Sequence, residues 1–500
     1  MKIINNMYII RESAVNWNKF GWYESQKSND SNQIYKWQID TMPGWNSSQN
    51  KYSEDILVDV ERGYKNSVFN IKKRFEKNDV IFNTASECVV IINEKERQEI
   101  DNFINHGANI RIEFLQALFN LGVLVFLEDD EFSKFHFIRK RSIFNTESIK
   151  SFVIYPTHEC NARCFYCFAQ EDIKTNKKMT IETVNDTLQF IYKQVSPNDE
   201  VVFRWFGGEP LMAADIIDNI INEFNVHFKS SVKYHSVITS NISLLNDDLI
   251  IKAKDKWNLR KMLIPLDGFQ FEHDKRKNYF QKNQNQYEFV LENIDKLLKN
   301  GIYVVCRLNL DHQNFANLNQ MLDDLAKFKE NKHFFLQVTT LHIPAHSKEF
   351  SNYIHFSQFN DFYSIVFDEL FKRKFYKHIT EIIPRRMMSV CTAMLNNYSL
   401  ISADGYLFRC EQEEHKIQNS VGDCKTGIVH NTNLQKWMNP DVEEECKYCK
   451  FLPICQGGCN YYRFRNNENL PPCTRTKYYS NALMDFIYKW YKGNVELLAK

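Results

Sequence analysis

From Ser151 to Val338 the chain alternates short apolar runs with amphipathic stretches of helical period. The apolar runs cover about 151–156, Val201–Phe206, Ser236–Thr239, Lys261–Asp267, Ile302–Leu310 and Phe334–Val338. Between them the pattern predicts a helix from Thr180 with Val184, Leu188 and Ile191 on one face, and another from Leu211 to about Phe228. Further helices are predicted at about 246–256, at about 286–299 (Phe289, Ile294, Leu297, Leu298) and at about 316–328. Apolar strands separated by helices predict a parallel α/β sheet.

A different order precedes it. Val80–Asn83 and Glu87–Ile92 predict paired strands around Thr84-Ala85-Ser86. Asn93 is a plausible N-cap with Glu96 three residues on. Ile100, Phe103 and Ile104 then line one helix face, and Ile112, Leu115, Leu118 and Phe119 another. Gly122 ends that helix, and Val123, Val125 and Leu127 alternate as a strand. Strand pair, helices, strand is the order of a winged-helix-like α+β unit, here at about 78–130. Residues 1–55 are polar, rich in Asn, Ser and Trp, and carry no period. At the other end Leu483, Phe486, Ile487 and Trp490 predict a closing helix over about 480–500.

Composition narrows the functional classes. Five hundred residues allow about three domains, at about 100–200 residues each. A formal net charge of +1 leaves no footprint for nucleic acid. The short basic run Arg139-Lys140-Arg141 reads as a solvated linker. The longest apolar stretch, Leu115–Leu127, is too short to span a bilayer and is broken by Gln116, Asn120 and Gly122. Met1–Asn6 lacks the apolar core of a signal peptide, so the 13 cysteines are expected in a reducing cytoplasm, where tight spacing favours metal or catalysis over disulfides.

The cysteines carry the chemistry. Cys160, Cys164 and Cys167 stand at C-x3-C-x2-C directly after Phe152–Tyr155. Three thiolates on one loop can hold a [4Fe–4S] cluster and leave one iron open to a small-molecule donor; a zinc loop or unrelated core cysteines are the alternatives. Trp205-Phe206-Gly207-Gly208-Glu209-Pro210 ends the second strand: its glycines permit close backbone approach, and Glu209 can accept from an ammonium. Ser240-Asn241 ends the third strand and Leu266-Asp267-Gly268 the fourth, followed by His273-Asp274-Lys275-Arg276. Arg307 and Asn309 share a face of the fifth. Cys306 reads as core and Cys88 as packed within a strand. His342, His346 and His355 form no ligand pattern and read as surface residues. Toward the C-terminus come Cys391-x13-Gly405-x4-Cys410, then Cys446-x2-Cys449-x5-Cys455-x3-Cys459, then Cys473.

The first loop, with Tyr166 before its last cysteine, closely resembles the cluster loop of the radical SAM enzymes, and Gly207–Pro210 resembles their GGEP motif. The seven later thiols resemble the SPASM motif, including Gly405 and the Gly457-Gly458 pair before Cys459. The 266–277 stretch resembles the "LDG…HDKRR" run of SPASM-containing peptide maturases, with Lys277 in place of the last arginine. The resemblance covers about residues 150–475. It implies a partial (β/α)6 TIM-like barrel over 146–375, an N-terminal region over 1–145 with its winged-helix-like unit, a SPASM domain over 376–480, and a C-terminal helix over 481–500. By analogy with full barrels, the site belongs at the strand C-termini.

By that resemblance Cys160, Cys164 and Cys167 hold the cluster that binds S-adenosylmethionine (SAM). Tyr166, Gly207, Gly208, Glu209, Pro210, Ser240, Asn241, Asp267, Arg276 and Arg307 are the candidate SAM or substrate contacts. Cys391, Cys410 and Cys459 would hold a first auxiliary [4Fe–4S] cluster, and Cys446, Cys449, Cys455 and Cys473 a second. The first is one ligand short, because Asn397 stands where some relatives have a cysteine; it is open, or Cys424 or Cys88 completes it. The N-terminal unit resembles leader-peptide recognition domains, and an edge strand there could add an extended peptide. The implied activity is oxidative modification of a ribosomal precursor peptide, most often a cross-link, with electrons from flavodoxin or ferredoxin. The rivals are an anaerobic sulfatase-maturating enzyme, which makes formylglycine, and a zinc-stabilised peptide-binding module without catalysis.

Overall fold

A computed structural model describes residues 2–4, 7–11, 58, 62–144, 149–281, 285–341, 352–376, 378–387, 389–465 and 472–498. Most of residues 1–55, and His342 and His346, lie outside the described residues. In the N-terminal part, β1 (Lys2–Ile4), β2 (Met7–Arg11), β4 (Asn70–Arg74), β5 (Asn78–Asn83) and β6 (Val89–Asn93) form an antiparallel sheet in the order β1-β2-β6-β5-β4. β3 (Tyr64–Asn66) pairs separately with β7 (Leu124–Phe126).

The expected strand pair is β5–β6, and the expected capping box is present. Glu96 N donates to Asn93 Oδ1 at 3.0 Å, and Asn93 N to Glu96 Oε2 at 2.9 Å. They start the helix Glu94–His106, which ends on a left-handed Gly107. The helix Ile112–Asn120 buries Phe114, Leu115, Leu118 and Phe119 against Val90, Ile92 and Ile100. Two end positions differ from the pattern: Ile112 is 57% exposed in the first helical turn, and Leu127 is 61% exposed past the end of β7. Cys88 and Cys306 are fully buried, as expected.

Six parallel strands follow in sequence order: β8 (Ile149–Ile154), β9 (Glu200–Trp205), β10 (Lys233–Thr239), β11 (Leu259–Leu266), β12 (Tyr303–Leu310) and β13 (Phe334–Thr340). Phe152, Ile154, Phe203, Trp205, Ile238, Met262, Ile264, Val304, Cys306 and Leu308 pack outward under the helices. The alternate positions, which include Arg204, Lys261 and Arg307, therefore face the concave side. These six parallel strands and the helices over their outer face make the expected α/β partial barrel.

The barrel does not close. On its β8 edge, β14 (Tyr398–Ile401) adds a parallel strand, and β15 (Tyr406–Phe408), β16 (Gly422–Asp423) and β17 (Gly427–Ile428) extend the same sheet antiparallel, giving ten strands. The closing helix spans Arg475–Leu498, five residues longer at its start than the apolar pattern indicated. It packs on the helix Phe359–Lys372, with Tyr363–Tyr479 ring centroids 4.1 Å apart and Phe371–Phe486 4.8 Å.

The basic run at 139–141 is not a solvated linker. It lies within the helix Glu131–Phe144, and Arg139, 2% exposed, donates to Pro440 O at 2.7 Å and to Gln456 O. It satisfies two backbone carbonyls of the cysteine-rich region, the one on Gln456 buried. Glu87, at φ 64, ties the N-terminal sheet to the same region by accepting from Arg11 and from Arg386 N. Among the described residues no helix is long and apolar enough to cross a membrane.

Candidate functional site

The cysteine loop leaves β8 at the C-terminal end of the barrel and is fixed from both sides. Gly208 N donates to Thr157 O at 3.1 Å and Glu209 N to Glu159 O at 2.7 Å. A Cβ on Gly207 would lie 2.3 Å from Thr157 O, and one on Gly208 2.1 Å from Glu159 O. What the two glycines admit closely is thus the backbone of the cysteine loop itself. From the other side, Phe280 N donates to Asn161 O and Arg163 N to Lys277 O, both at 3.0 Å.

Cys160, Cys164 and Cys167 come together. Burial first, and then the charges of neighbouring thiolates and, for Cys160, of Glu209, push the Cys160 and Cys167 thiols up to about 12. Such thiols stay protonated unless a cation stabilises the thiolate, which suits iron. One cation is built in. Lys277 Nζ lies 2.8 Å from Asp267 Oδ2 and donates to Tyr166 Oη at 3.0 Å; Tyr166 Oη also donates to Asp267. Burial disfavours the ammonium, but Asp267 and the thiolates of Cys164 and Cys160 outweigh it and raise the Lys277 pKa. Asp267 is correspondingly lowered, against burial, by Lys277 and His273. Asn309 Nδ2 donates to Asp267 Oδ1 at 3.0 Å, so the expected facing of Asn309 holds. Lys277 was missed as a site residue; its place as the odd residue in the "HDKRR" run was the available signal.

Glu209 is 1% exposed and accepts from Ser240 Oγ (2.7 Å), Asn241 N (2.9 Å) and Leu211 N (3.2 Å). Burial still raises its pKa. Pro210 opens the short 3-10 turn Pro210–Ala213 that Glu209 caps. Asn241 Nδ2 donates to Asn161 Oδ1 at 2.9 Å, closing the ring back onto the cysteine loop. Tyr166, Gly207, Gly208, Glu209, Pro210, Ser240, Asn241 and Asp267 therefore surround one end of the barrel. Arg276 is differently engaged: its Nη2 lies 2.6 Å from Asp311, its Nη1 3.8 Å from Glu272, and its guanidinium covers Phe165. Arg307 stands on β12 opposite Gln337.

Among the seven remaining thiols, the charges of Cys391, Cys410 and Cys459 act on one another, and so do those of Cys446, Cys449, Cys455 and Cys473. Burial first, with the charge of Cys459 among the further causes, pushes Cys391 up to about 11 and Cys410 well above its ordinary value. Burial likewise raises Cys446 and Cys455, and Cys449 and Cys473 raise them further. Donors face the sulfurs: Arg463 Nη2 to Cys446 at 3.4 Å, Thr474 N to Cys455 at 3.4 Å, Lys477 Nζ to Cys473 at 3.6 Å and Gln412 N to Cys410 at 3.4 Å. The donor sets fit iron–sulfur clusters, in which each thiolate takes a separate iron. Among the described residues no three His, Cys, Asp or Glu side chains converge as ligands of one ion.

Neither thiol considered as a fourth ligand joins the first set. Cys424 packs beside Thr187 Oγ1 at 3.8 Å, and Cys88 lies in the N-terminal sheet near Arg11. The acid that does face this set is Glu411, whose charge bears on Cys410, Cys391, Tyr155 and Tyr398. Its position directly after Cys410 was the overlooked signal. His355 caps a surface turn, bonded to Ser357 Oγ at 2.7 Å.

Residues 154–325 match the Radical SAM superfamily. The chain is a radical SAM enzyme. Its relatives include the cysteine-type anaerobic sulfatase-maturating enzyme of Clostridium novyi, 24% identical across 68% of this chain and 94% of that enzyme. They also include the radical SAM cyclopropyl synthase TigE of Paramaledivibacter caminithermalis, 21% identical across 79% of this chain and 83% of TigE. The fold is similar to that of anSMEcpe with bound AdoMet, at a TM-score of 0.53 and 17% identity, across 70% of this chain and 98% of that one.

Proposed function

We propose that this enzyme oxidatively modifies a ribosomally made precursor peptide, installing an intramolecular thioether or C–C cross-link. The observation that carries the reading is the gathering of ten cysteines into one set of three at the barrel mouth and two sets beside it. Cys160, Cys164 and Cys167 would hold the SAM-binding [4Fe–4S] cluster, Cys391, Cys410 and Cys459 the first auxiliary cluster, and Cys446, Cys449, Cys455 and Cys473 the second. When bound, SAM and its cluster would supply the radical chemistry that abstracts hydrogen from an unactivated carbon, and the auxiliary clusters would supply a sink for the surplus electron.

The chain's residues do the rest. Glu209 receives the cofactor's ammonium, held ready by Ser240 and Asn241. Lys277 offers the opposite charge to its carboxylate, while Asp267 and Tyr166 hold the lysine in place. Glu411 takes the proton released as the substrate is oxidised, since its charge bears on Cys410 and Cys391 and it forms no ion pair among the described residues. The N-terminal region over 1–145 would take up the leader, the barrel over 146–375 and SPASM domain over 376–480 the core peptide. Flavodoxin or ferredoxin would supply electrons in the cytoplasm.

One finding favours sulfatase maturation instead: the Clostridium novyi enzyme aligns over almost its whole length. That alignment takes up 68% of this chain, so the chain carries length beyond what that enzyme needs. The decisive experiment uses enzyme reconstituted without oxygen, with about twelve irons per chain for three cubes. A co-expressed precursor peptide should lose two hydrogens in the mass spectrum. Deleting residues 1–145 should abolish that product; a deletion variant that retained turnover would favour the sulfatase reading. One or two zincs with no iron–sulfur absorption would defeat both.

A further inference from the structure

Arg307 points to the concave side of the barrel, because its neighbours Cys306 and Leu308 are fully buried under the helices and strand side chains alternate. Its Nε is shut off from solvent and meets no acceptor. Arg475 approaches from the start of the closing helix, donating to Thr339 Oγ1 and, at 3.0 Å, to Thr340 O. Among the described residues neither guanidinium forms an ion pair. Burial first, and then the charge of Arg475, depresses the Arg307 pKa. A guanidinium shut off from water at Nε, with a second like charge acting on it, calls for a counter-charge.

The carboxylate whose charge reaches Arg307 is Asp267, already bonded to Lys277, Tyr166 and Asn309. Nor is Arg475 occupied by the nearby thiols: the cation facing Cys473 is Lys477. The hydroxyls of Thr339 and Tyr363 border the same space. Paired guanidiniums beside neutral hydroxyls match a carboxylate, which accepts two parallel hydrogen bonds from each planar fork.

We propose that Arg307 and Arg475 bind an Asp or Glu side chain of the precursor peptide and so fix the segment to be modified at the barrel mouth. This rests on the peptide-maturase reading and names its substrate class: a core peptide with an acidic residue near the modified carbon. SAM also carries a carboxylate, but Lys277 already stands beside the thiols that would anchor SAM.

The test is calorimetric binding to the full, reconstituted enzyme at low salt, with three probes: acetyl-Gly-Gly-Asp-Gly-Gly-amide, its Asn counterpart, and SAM. The Asp peptide should bind about tenfold more tightly than the Asn peptide, as a hydrogen-bonded charge requires. Arg307→Gln and Arg475→Gln should each erase that preference with SAM affinity retained, and Arg307→Lys should restore part of it. Equal or undetectable binding of both peptides to the wild type would overturn the proposal. So would a loss confined to SAM affinity, which would assign the pair to the cofactor. Release of 5′-deoxyadenosine by the same preparation reports separately on the functional reading: wild-type enzyme that cleaves SAM without preferring the Asp peptide sinks this inference alone.

Discussion

The thiol set at the barrel mouth and the set around Cys446 are built from the same residue type in different surroundings. Around Cys160, Cys164 and Cys167 stand a buried ion pair, a buried carboxylate with three donors and a chain of amides. Around Cys446, Cys449, Cys455 and Cys473 the polar groups mostly point at sulfur itself. Three thiols beside buried charged groups of both signs suit a site that takes in a charged molecule. Four thiols with their own donors suit a group that only exchanges electrons. The set around Cys410 lies between the two, with three thiols and one acid, Glu411.

The sharpest way to break this contrast is Cys164→Ala, which should reduce SAM cleavage to background in a chromatographic assay of 5′-deoxyadenosine. Cys473→Ala should instead leave SAM cleavage running without peptide product; equal losses in both assays would erase the distinction. Glu411→Gln tests the intermediate set. Product formation should fall about 100-fold, the ordinary contribution of a positioned base, with SAM cleavage kept. Lys277→Met leaves Asp267 buried without its partner and should lower stability to denaturant by about 3–5 kcal/mol. Cys424→Ser should have the smallest effect, leaving iron content per chain unchanged, because that thiol lies outside every set.

What was legible in the sequence follows from the range of each interaction. Cysteine spacing within a loop is local, so the sets could be read directly; so could the capping box at Asn93 and the alternation of β8–β13. Long-range partners left little trace. Tyr398–Ile401 is a short apolar run like many others, and nothing local shows that it pairs with β8, 247 residues earlier in the chain, nor that Arg139 reaches Gln456. Arg276 and Lys277 are adjacent basic residues. Only the helix direction decides that the first pairs with Asp311 and the second with Asp267 beside the thiols. Arg475 reads as an ordinary helix start until Thr339 is seen beside it.

The unbroken ladder from β8 through β14 to β15 has a mechanical consequence. Cys391 precedes β14 and Cys410 follows β15, while the Cys160 loop leaves β8. The gaps between these thiol groups are thus gauged by rows of amide bonds across neighbouring strands, with no hinge to stretch them. Tunnelling rates decline steeply with distance, so under the proposed function a frame this stiff would serve as a ruler for electron transfer, holding the rate steady through each turnover.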